Sequence, residues 1–577
     1  GEQYKFAHDR IQQAVYSLIP EADKSSVHLS IGKLLLETLG PEQQEERLFD
    51  IVNQWNQGVD SIQAEKQKHM LAELNLRAGR KAKQASAFKP AFEYLQTGIK
   101  LLPDDAWQSH YALSRDLYTE AAETAYLNGD FELMGQHIDS VLENAEDLLE
   151  KVVPYEIRIL AYKAENRLLD AIYTGLDVLG QLGEKFPKNA TMAHVMVDLL
   201  KTKARLSGKD IKTLSALPDM EDTRKIAAMR IIADIASCSY WATPALFPLL
   251  IFRMCRLSLT YGNTSLSAFG FATYGVIMCG VLGAMKSGYE YGKLGLILLD
   301  RFDAREWLAQ IYTPIYALIN NWNEHVENTL SPLQESYHIG LETGAIEFAC
   351  INANIYCIAA YLTGRPLDKI ESETRAYSES FDHYKQETNF NYNEVFRQGM
   401  LNFMGRSENP LILTGDAYDE ERMIAQNLER NDQTGMFFIH FNKLILCYCF
   451  RDFDQAAEHA AEARKLLEAV LAKFEIPNHH FYEALTLLAL YTDASRTEKS
   501  RMMRRVRSNQ RKLRKWARDA PENYAHKFDL IEAERLRVLG KLSEAATAYD
   551  RAIQGASSQR YIHEEAMAYE AAGRFYE

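Results

Sequence analysis

The chain has 577 residues and a formal net charge of −14, with 47% hydrophobic and 25% charged residues. Only 15 prolines and 30 glycines are present, too few for a collagen-like, disordered or turn-rich all-β chain, and the net charge keeps the molecule as a whole away from phosphate backbones. Seven cysteines, with no C-x-x-C pair, suit buried free thiols in a reducing compartment rather than a disulfide frame.

On length alone about three or four domains are expected, although an array of helical repeats can extend this far as one continuous body. Helix formers dominate long windows, so the fold class is all-α. No signal peptide is recognised at the front. Residues 4–20, "YKFAHDRIQQAVYSLIP", read as a strand end entering an amphipathic helix, with Phe6, Ile11, Ala14, Val15 and Leu18 at helical spacing. His8 and Asp9 stand at that joint. A long helical run begins near Gln63.

Helix hairpins follow. "AYLNGDFELMGQHI" places Gly129 in a turn and Phe131 after it, and "AENRLLDAIYTGLDVL" keeps Leu168 and Ala171. Residues 206–224 break the pattern at Gly208 and Pro218. From Leu257 to Met285 no residue is charged. That is long enough to span a bilayer, but its Gly, Ala, Ser and Thr content fits small-residue helices buried between layers. Within it, "GVLGAMKS" has Met285 where a phosphate loop needs glycine before Lys286, so it reads as core helix.

"AAYLTGRPLDKI" turns at Gly364, and residues 404–422 form a second break. "YCFRDFDQAAEHAAEA" repeats Phe453, Ala456, Ala460 and Ala463. His479 and His480 are adjacent, diverge by about 100° on a helix, and are expected on a solvated helix start after Pro477. The run "RTEKSRMMRRVRSNQRKLRKWAR" holds eleven Lys or Arg and one acid, Glu498. Met503, Val506, Leu513 and Trp516 form its apolar stripe. The opposite face is either solvated, beside acidic neighbours such as "AEHAAEA", or an interaction face through Arg504, Arg505, Arg511, Lys512 and Lys515.

The end of the chain is the clearest repeat. Gly540 sits in a turn between Ala533, Leu536 and Ala545, Tyr549, Ala552. Thirty-three residues on, Ala566 and Tyr569 precede Gly573, placed in a turn before Phe575. This small-large-small spacing resembles the tetratricopeptide repeat (TPR). No G-x-S-x-G or H-E-x-x-H motif occurs, no carboxylate pair is marked out for catalysis, and no metal site is expected.

Several segments together resemble one larger arrangement: "YKFAHDRIQQAVYSLIPEADKSSVHLSIGKLLLETL", "LNLRAGRKAKQASAFKPAFEYLQTGIKLL", "FPLLIFRMCRLSLTYGNTSLSAFGFATYGVIMCGVLG" and "HKFDLIEAERLRVLGKLSEAATAYDRAI". Their order is similar to the winged-helix end and helical-repeat region of large STAND-type predicted ATPases, found in signalling proteins that also carry kinase-like, GAF and histidine-kinase domains. The resemblance implies a right-handed α-solenoid of degenerate TPR-like hairpins after a small winged-helix remnant. It divides the chain into 1–65 (winged helix), 66–215 (repeats), 216–405 (irregular middle) and 406–577 (repeats). It also implies that His8 and Asp9 sense a nucleotide in the intact protein, with ATP and Mg²⁺ bound upstream and no cofactor in this chain, which then reads as a fragment.

The expected role is a non-catalytic, cytoplasmic regulatory module. Its partners are the upstream ATPase, the downstream sensor and kinase domains, and a peptide or protein in the solenoid groove, with no nucleic acid and no membrane span. Homodimer formation stays open. The alternatives are a nucleotide-dependent enzyme with an unrecognised phosphate site, and a stand-alone scaffold binding anionic partners through residues 496–518.

Overall fold

The computed structural model describes residues 16–85 and 87–577; His8 and Asp9 lie outside them. The described residues are all-α: antiparallel helix hairpins follow one another in chain order, the expected α-solenoid arrangement, with two isolated β-bridges and no strand among them. Residues 16–65 contain the helices Glu21–Thr38, Pro41–Glu46 and Leu48–Gln57.

The hairpin turns share one local design. One residue adopts the left-handed conformation, which frees the chain from the preceding helix, and the next helix starts at once. Gly129, Gly364 and Gly540 do this as expected, at φ 77°, 80° and 73°. Asn431 and Arg451 do so without glycine, at φ 52° and 68°. At the turns of Gly129, Asn431 and Arg451 an aspartate caps the new helix: Asp130, Asp432 and Asp452 accept the backbone N–H of Leu133, Gly435 and Gln455, satisfying a donor that the first helical turn leaves orphaned. Gly573 is a correction. It lies inside helix Ile562–Tyr576 without a positive φ, and the helix runs through it.

The contacts carry the repeat period that the sequence shows only weakly. Side chains bond across 35 to 43 residues over and over: Arg115 to Glu150 at 2.7 Å, Gln96 to His137 at 2.6 Å, Tyr337 to Ser380 at 2.7 Å, Tyr392 to Asp432 at 2.8 Å. Each joins one hairpin to the next, as stacked repeats require.

The chain divides into two compact units, residues 1–191 with 222–247, and residues 192–221 with 248–577. In the first unit the apolar interior is built from successive clusters, one from Leu29 to Ala121 and one from Ala122 to Ala161. In the second, a large core runs from Val276 to Ala572, beside a smaller cluster from Tyr337 to Phe381.

The uncharged stretch belongs to the second unit. Helix Ser265–Gly280 is buried along nearly its whole length and pairs with helix Met285–Arg301. Glycine is required at that contact: a Cβ on Gly275 would come within 2.6 Å of the Gly288 carbonyl oxygen, and one on Gly288 within 2.2 Å of Cys279 Sγ. Among the described residues no helix is long and apolar enough to cross a membrane. "GVLGAMKS" is not core helix, as expected above, but the turn joining these two helices. Gly283 is left-handed there at φ 63°, and Lys286 is exposed.

Candidate functional site

The basic run forms one helix, Arg496–Asp519. Ser495 and Glu498 close a capping box at its start, each bonding to the other's backbone, and an acid in the first turn suits the helix dipole. Met503, Val506, Leu513 and Trp516 are buried as the spacing predicts.

The named cations separate into two sets. Arg505 turns inward, and its Nε donates to both oxygens of Glu483 at 3.2 Å. Lys512 donates to His480 Nε2 at 3.1 Å, and Lys515 donates to the Gly283 carbonyl at 2.9 Å. Arg504 and Arg511 face solvent, with Arg507 and Arg518 in the same row along the helix.

The acids that meet this helix include none from "AEHAAEA": Glu532 accepts from Gln510 at 2.7 Å, and Glu483, which is 1% exposed, lies deepest. Arg464, Arg505 and Asn509 all donate to its carboxylate, Asn509 at 2.7 Å. Burial works to raise the Glu483 carboxyl, and the neighbouring histidine, Asn509 and the two arginines outweigh it, holding the group below its ordinary range.

His479 and His480 lie in the core, not on a solvated helix start. Helix Glu475–Ala489 is buried from Pro477 to Thr486, because the basic helix and its neighbours cover it. Burial drives both imidazoles toward the neutral form. With Glu483 they form a group whose ligand atoms lie within 4.8 Å of one another.

That geometry could in principle hold a metal, but the charges oppose it. His479 Nε2 bonds to the Ala460 carbonyl at 2.9 Å, and the Lys512 contact occupies the His480 Nε2 lone pair. Both Glu483 oxygens are taken, and Arg464, Arg505 and Lys512 already surround the site with positive charge. His479 Nδ1 keeps an unpartnered lone pair, but a divalent cation would meet an unfavourable potential there. The cluster anchors the basic helix electrostatically.

A second polar centre lies where the irregular middle meets the C-terminal hairpins. The helical path loosens into the π-helical turn Thr313–Ala317 and the 3-10 turn Asn320–Trp322, which end in backbone groups no helix can satisfy. Asn523 satisfies them from about 200 positions away. Its Nδ2 donates to the Asn321 and Glu324 carbonyls at 2.9 and 2.7 Å, and its Oδ1 accepts from Val326 N–H at 3.1 Å. Tyr524 O–H donates to the Asn321 carbonyl, Tyr561 O–H to Asn523 Oδ1, and Trp322 Nε1 to the Ala472 carbonyl.

Beneath this seam Lys527 and Glu564 form an ion pair, both about fully buried, with His526 Nε2 2.6 Å from the same carboxylate. Burial alone would raise the Glu564 carboxyl, but Lys527 and His526 hold it well below its ordinary range. A cavity of about 20 Å³ lies nearby, lined by Asn321, Lys473, Glu475 and apolar side chains. It has room for one water-sized group, far below a substrate pocket.

Sequence reasoning missed this seam. Asn523 is polar in an otherwise helical pattern, and nothing near it in the chain announces its partners. Burial raises Cys279, Cys350 and Cys357 to about 12 and Cys447 to about 11, away from the thiolate form a nucleophile needs.

No family model matches the chain. It is 23% identical over 430 residues to the hybrid signal transduction histidine kinase G of Dictyostelium discoideum, covering 66% of this chain and 12% of that protein. The chain therefore spans a small part of the curated relative it matches. Among solved structures, a Signal Transduction ATPase with Numerous Domains (STAND) protein with a tetratricopeptide repeat sensor, from Pyrococcus horikoshii, matches at 12% identity and a TM-score of 0.32, over 74% of this chain and 57% of that one. The likeness to large signalling proteins seen in the residues is thus met by a histidine kinase relative.

Proposed function

We propose that this chain is a non-catalytic regulatory and protein-interaction region of a multidomain signalling ATPase or sensor kinase. The carrying observation is the 430-residue likeness to a hybrid histidine kinase of which this stretch makes up 12%. The chemistry agrees. Buried carboxylates such as Glu156, Glu394, Glu483 and Glu564 are committed to ion pairs, and stacked hairpins offer surfaces rather than a reaction chamber.

The mechanism is population shift: a partner bound to the repeats favours one arrangement of the whole protein and so biases the nucleotide-binding and kinase parts. ATP and Mg²⁺ belong to those other parts. His8 and Asp9 are the residues through which the repeats reach the nucleotide, and the protein works in the cytoplasm. Titration calorimetry of this chain with ATP, ADP and Mg²⁺ is expected to give no stoichiometric heat, and such heat would overturn the reading in favour of an enzyme. Removing residues 66–577 from the longer protein should change kinase output; unchanged output sinks the regulatory role.

A second reading, a scaffold for anionic partners, draws on the exposed row Arg504, Arg507, Arg511 and Arg518. Charge reversal at Arg504 and Arg511 should then abolish capture of an acidic partner while leaving the fold intact.

A further inference from the structure

His440 and His459 stand on the two helices of one hairpin, Gln433–Cys449 and Phe453–Lys465, and aim their Nδ1 atoms at each other across 3.1 Å. Both rings are half-buried, and neither makes another hydrogen bond among the described residues. Burial lowers both imidazoles, His459 to about 4. At neutral pH each ring is therefore uncharged and keeps one nitrogen with a lone pair. For the rings to bond each other, one Nδ1 carries the proton and the other accepts it. With both protons on Nε2 instead, two lone pairs converge on one point.

Converging imidazoles are what a transition metal needs, and the spacing agrees. Two nitrogens that hold one Zn²⁺ tetrahedrally at about 2.05 Å stand roughly 3.3 Å apart. Glu462 lies one helical turn past His459 on the same face, and its exposed carboxylate bonds to Lys465 at 2.6 Å. An exposed pair of this kind is weak, so the carboxylate is available to a stronger partner. The potential also differs from that at His479 and His480. Glu420, Asp452 and Glu462 act on the His440–His459 pair against Lys443 and Lys465. Here three acids outweigh two cations, whereas Glu483 faces three cations alone.

We infer that His440, His459 and Glu462 form a binding site for a divalent transition metal of the Zn²⁺ type, with both Nδ1 atoms and one carboxylate oxygen as ligands. Two imidazoles and a carboxylate suit such an ion, and water completes the fourth position. Glu462 leaves Lys465 to reach the metal, and Lys465 extends into solvent. The partial exposure of both rings gives the ion its way in, and its binding fastens the two helices of the hairpin to each other. The site goes beyond the regulatory reading and does not depend on it. Sequence spacing conceals it: 19 positions separate the histidines, and their helices must pair before the ligands meet.

The test uses the full 577-residue chain, stripped with a chelator and titrated calorimetrically with Zn²⁺ at neutral pH. One ion per chain should bind, with a Kd of roughly 0.1–10 µM. His440→Gln and His459→Gln should each weaken binding about tenfold or more, and Glu462→Gln about threefold or more. Lys465→Ala, at an exposed position, should tighten it about two- to fivefold by freeing the carboxylate. Hydrogen exchange should slow across residues 433–465 when Zn²⁺ is present and recover when chelator is added.

Absence of binding up to ~200 µM Zn²⁺, several weakly held ions per chain, or a Kd unmoved by both histidine variants overturns the proposal. Slowed exchange confined to residues 475–489 overturns it too, because the ion would then sit at His479 and His480. A Kd that ignores both Glu462→Gln and Lys465→Ala overturns the three-ligand site. Circular dichroism checks the fold of each variant. If a histidine variant does not fold, Lys465→Ala and the exchange map decide, and an unchanged Kd with no slowing in 433–465 counts against the site.

Discussion

The two units use the same hairpin but close their interiors differently. In the first, polar bonds join neighbours: Arg80 to Asp116 and Glu120, Tyr111 and Arg115 to Glu150, Lys225 to Glu184. In the second, the same neighbour bonds are joined by ties across 150 to 234 positions, at Trp322–Ala472, Asn321–Asn523 and His325–Gln559. A stack bonded only to its neighbours is quasi-one-dimensional and can lose an end without losing its middle. A stack tied back on itself exchanges that tolerance for cooperativity.

The buried ion pair provides the largest expected contrast. Lys527→Met strands Glu564 in the core beside a neutral histidine, which should cost roughly 3–5 kcal/mol. Lys225→Met in the first unit breaks a pair that is 15% and 8% exposed, so water can reach it, and should cost about 1–2 kcal/mol. Denaturant titration of both variants checks this, and equal losses would remove the distinction between the units. Adding Glu564→Leu to Lys527→Met should restore most of the loss, since an apolar pair of similar size needs no solvation.

The seam comes next. Asn523→Leu leaves the Asn321 and Glu324 carbonyls and the Val326 N–H short of a partner at once, for about 2–4 kcal/mol. Asn75→Leu in the first unit breaks a reciprocal side-chain pair with Asn56, 2.9 Å in each direction, for about 1–2 kcal/mol. Hydrogen exchange gives the sharper readout. Asn523→Leu should speed residues 313–326 and 521–564 together, whereas Asn75→Leu should speed only its own hairpin and the next. Acceleration confined to 521–538 would mean that the seam is not a cooperative tie.

How much of this was legible in the chain follows from where each determinant lies. Gly129, Gly364 and Gly540 announce their turns, because a left-handed residue between two helical patterns is a local requirement. Asn431 and Arg451 meet the same requirement without glycine and so could not be seen. The stripe Met503, Val506, Leu513 and Trp516 was readable because helical spacing is local.

The burial of His479 and His480 was not readable. Their cover comes from Lys512 and Trp516, more than thirty positions on, and a His-His pair after proline looks polar on its own. Asn523 was invisible for the same reason at greater range. The identity of the deepest acid facing the basic helix, Glu483 rather than Glu458 or Glu462, depends on which helix stacks there, and spacing alone does not decide that.

Acid should separate the units again, by a smaller margin. Burial holds His440 below its ordinary range and His459 at about 4, and it lowers His479, His480 and His526 as well. All five lie in the second unit; the first has His137 lowered in the same way. A histidine depressed in the folded state binds its proton more readily when unfolded. Its contribution to stability is therefore complete above about pH 6.5, the unfolded value, and is lost as pH falls toward the folded value. Denaturant midpoints followed by exchange in each unit from pH 7.5 to 4.5 should fall faster for the second. His459→Gln should flatten part of that slope, and parallel slopes in the two units would contradict the assignment.

The smallest effect tests the basic helix itself. Arg505 and Arg504 are adjacent, yet one donates to a buried carboxylate and the other faces solvent. Arg505→Ala leaves Glu483 with Arg464 and Asn509 and should cost about 1–2 kcal/mol, while Arg504→Ala should stay within ~0.5 kcal/mol of the parent. Salt separates them further: screening reaches an exposed arginine within about 10 Å at 0.1 M, but hardly touches a pair shielded by protein. The Arg505 cost should therefore persist at high salt. If it vanishes there, Glu483 is solvated, and buried electrostatic anchoring in the second unit rests on other pairs, Lys527 with Glu564 and Arg397 with Glu371 and Glu394.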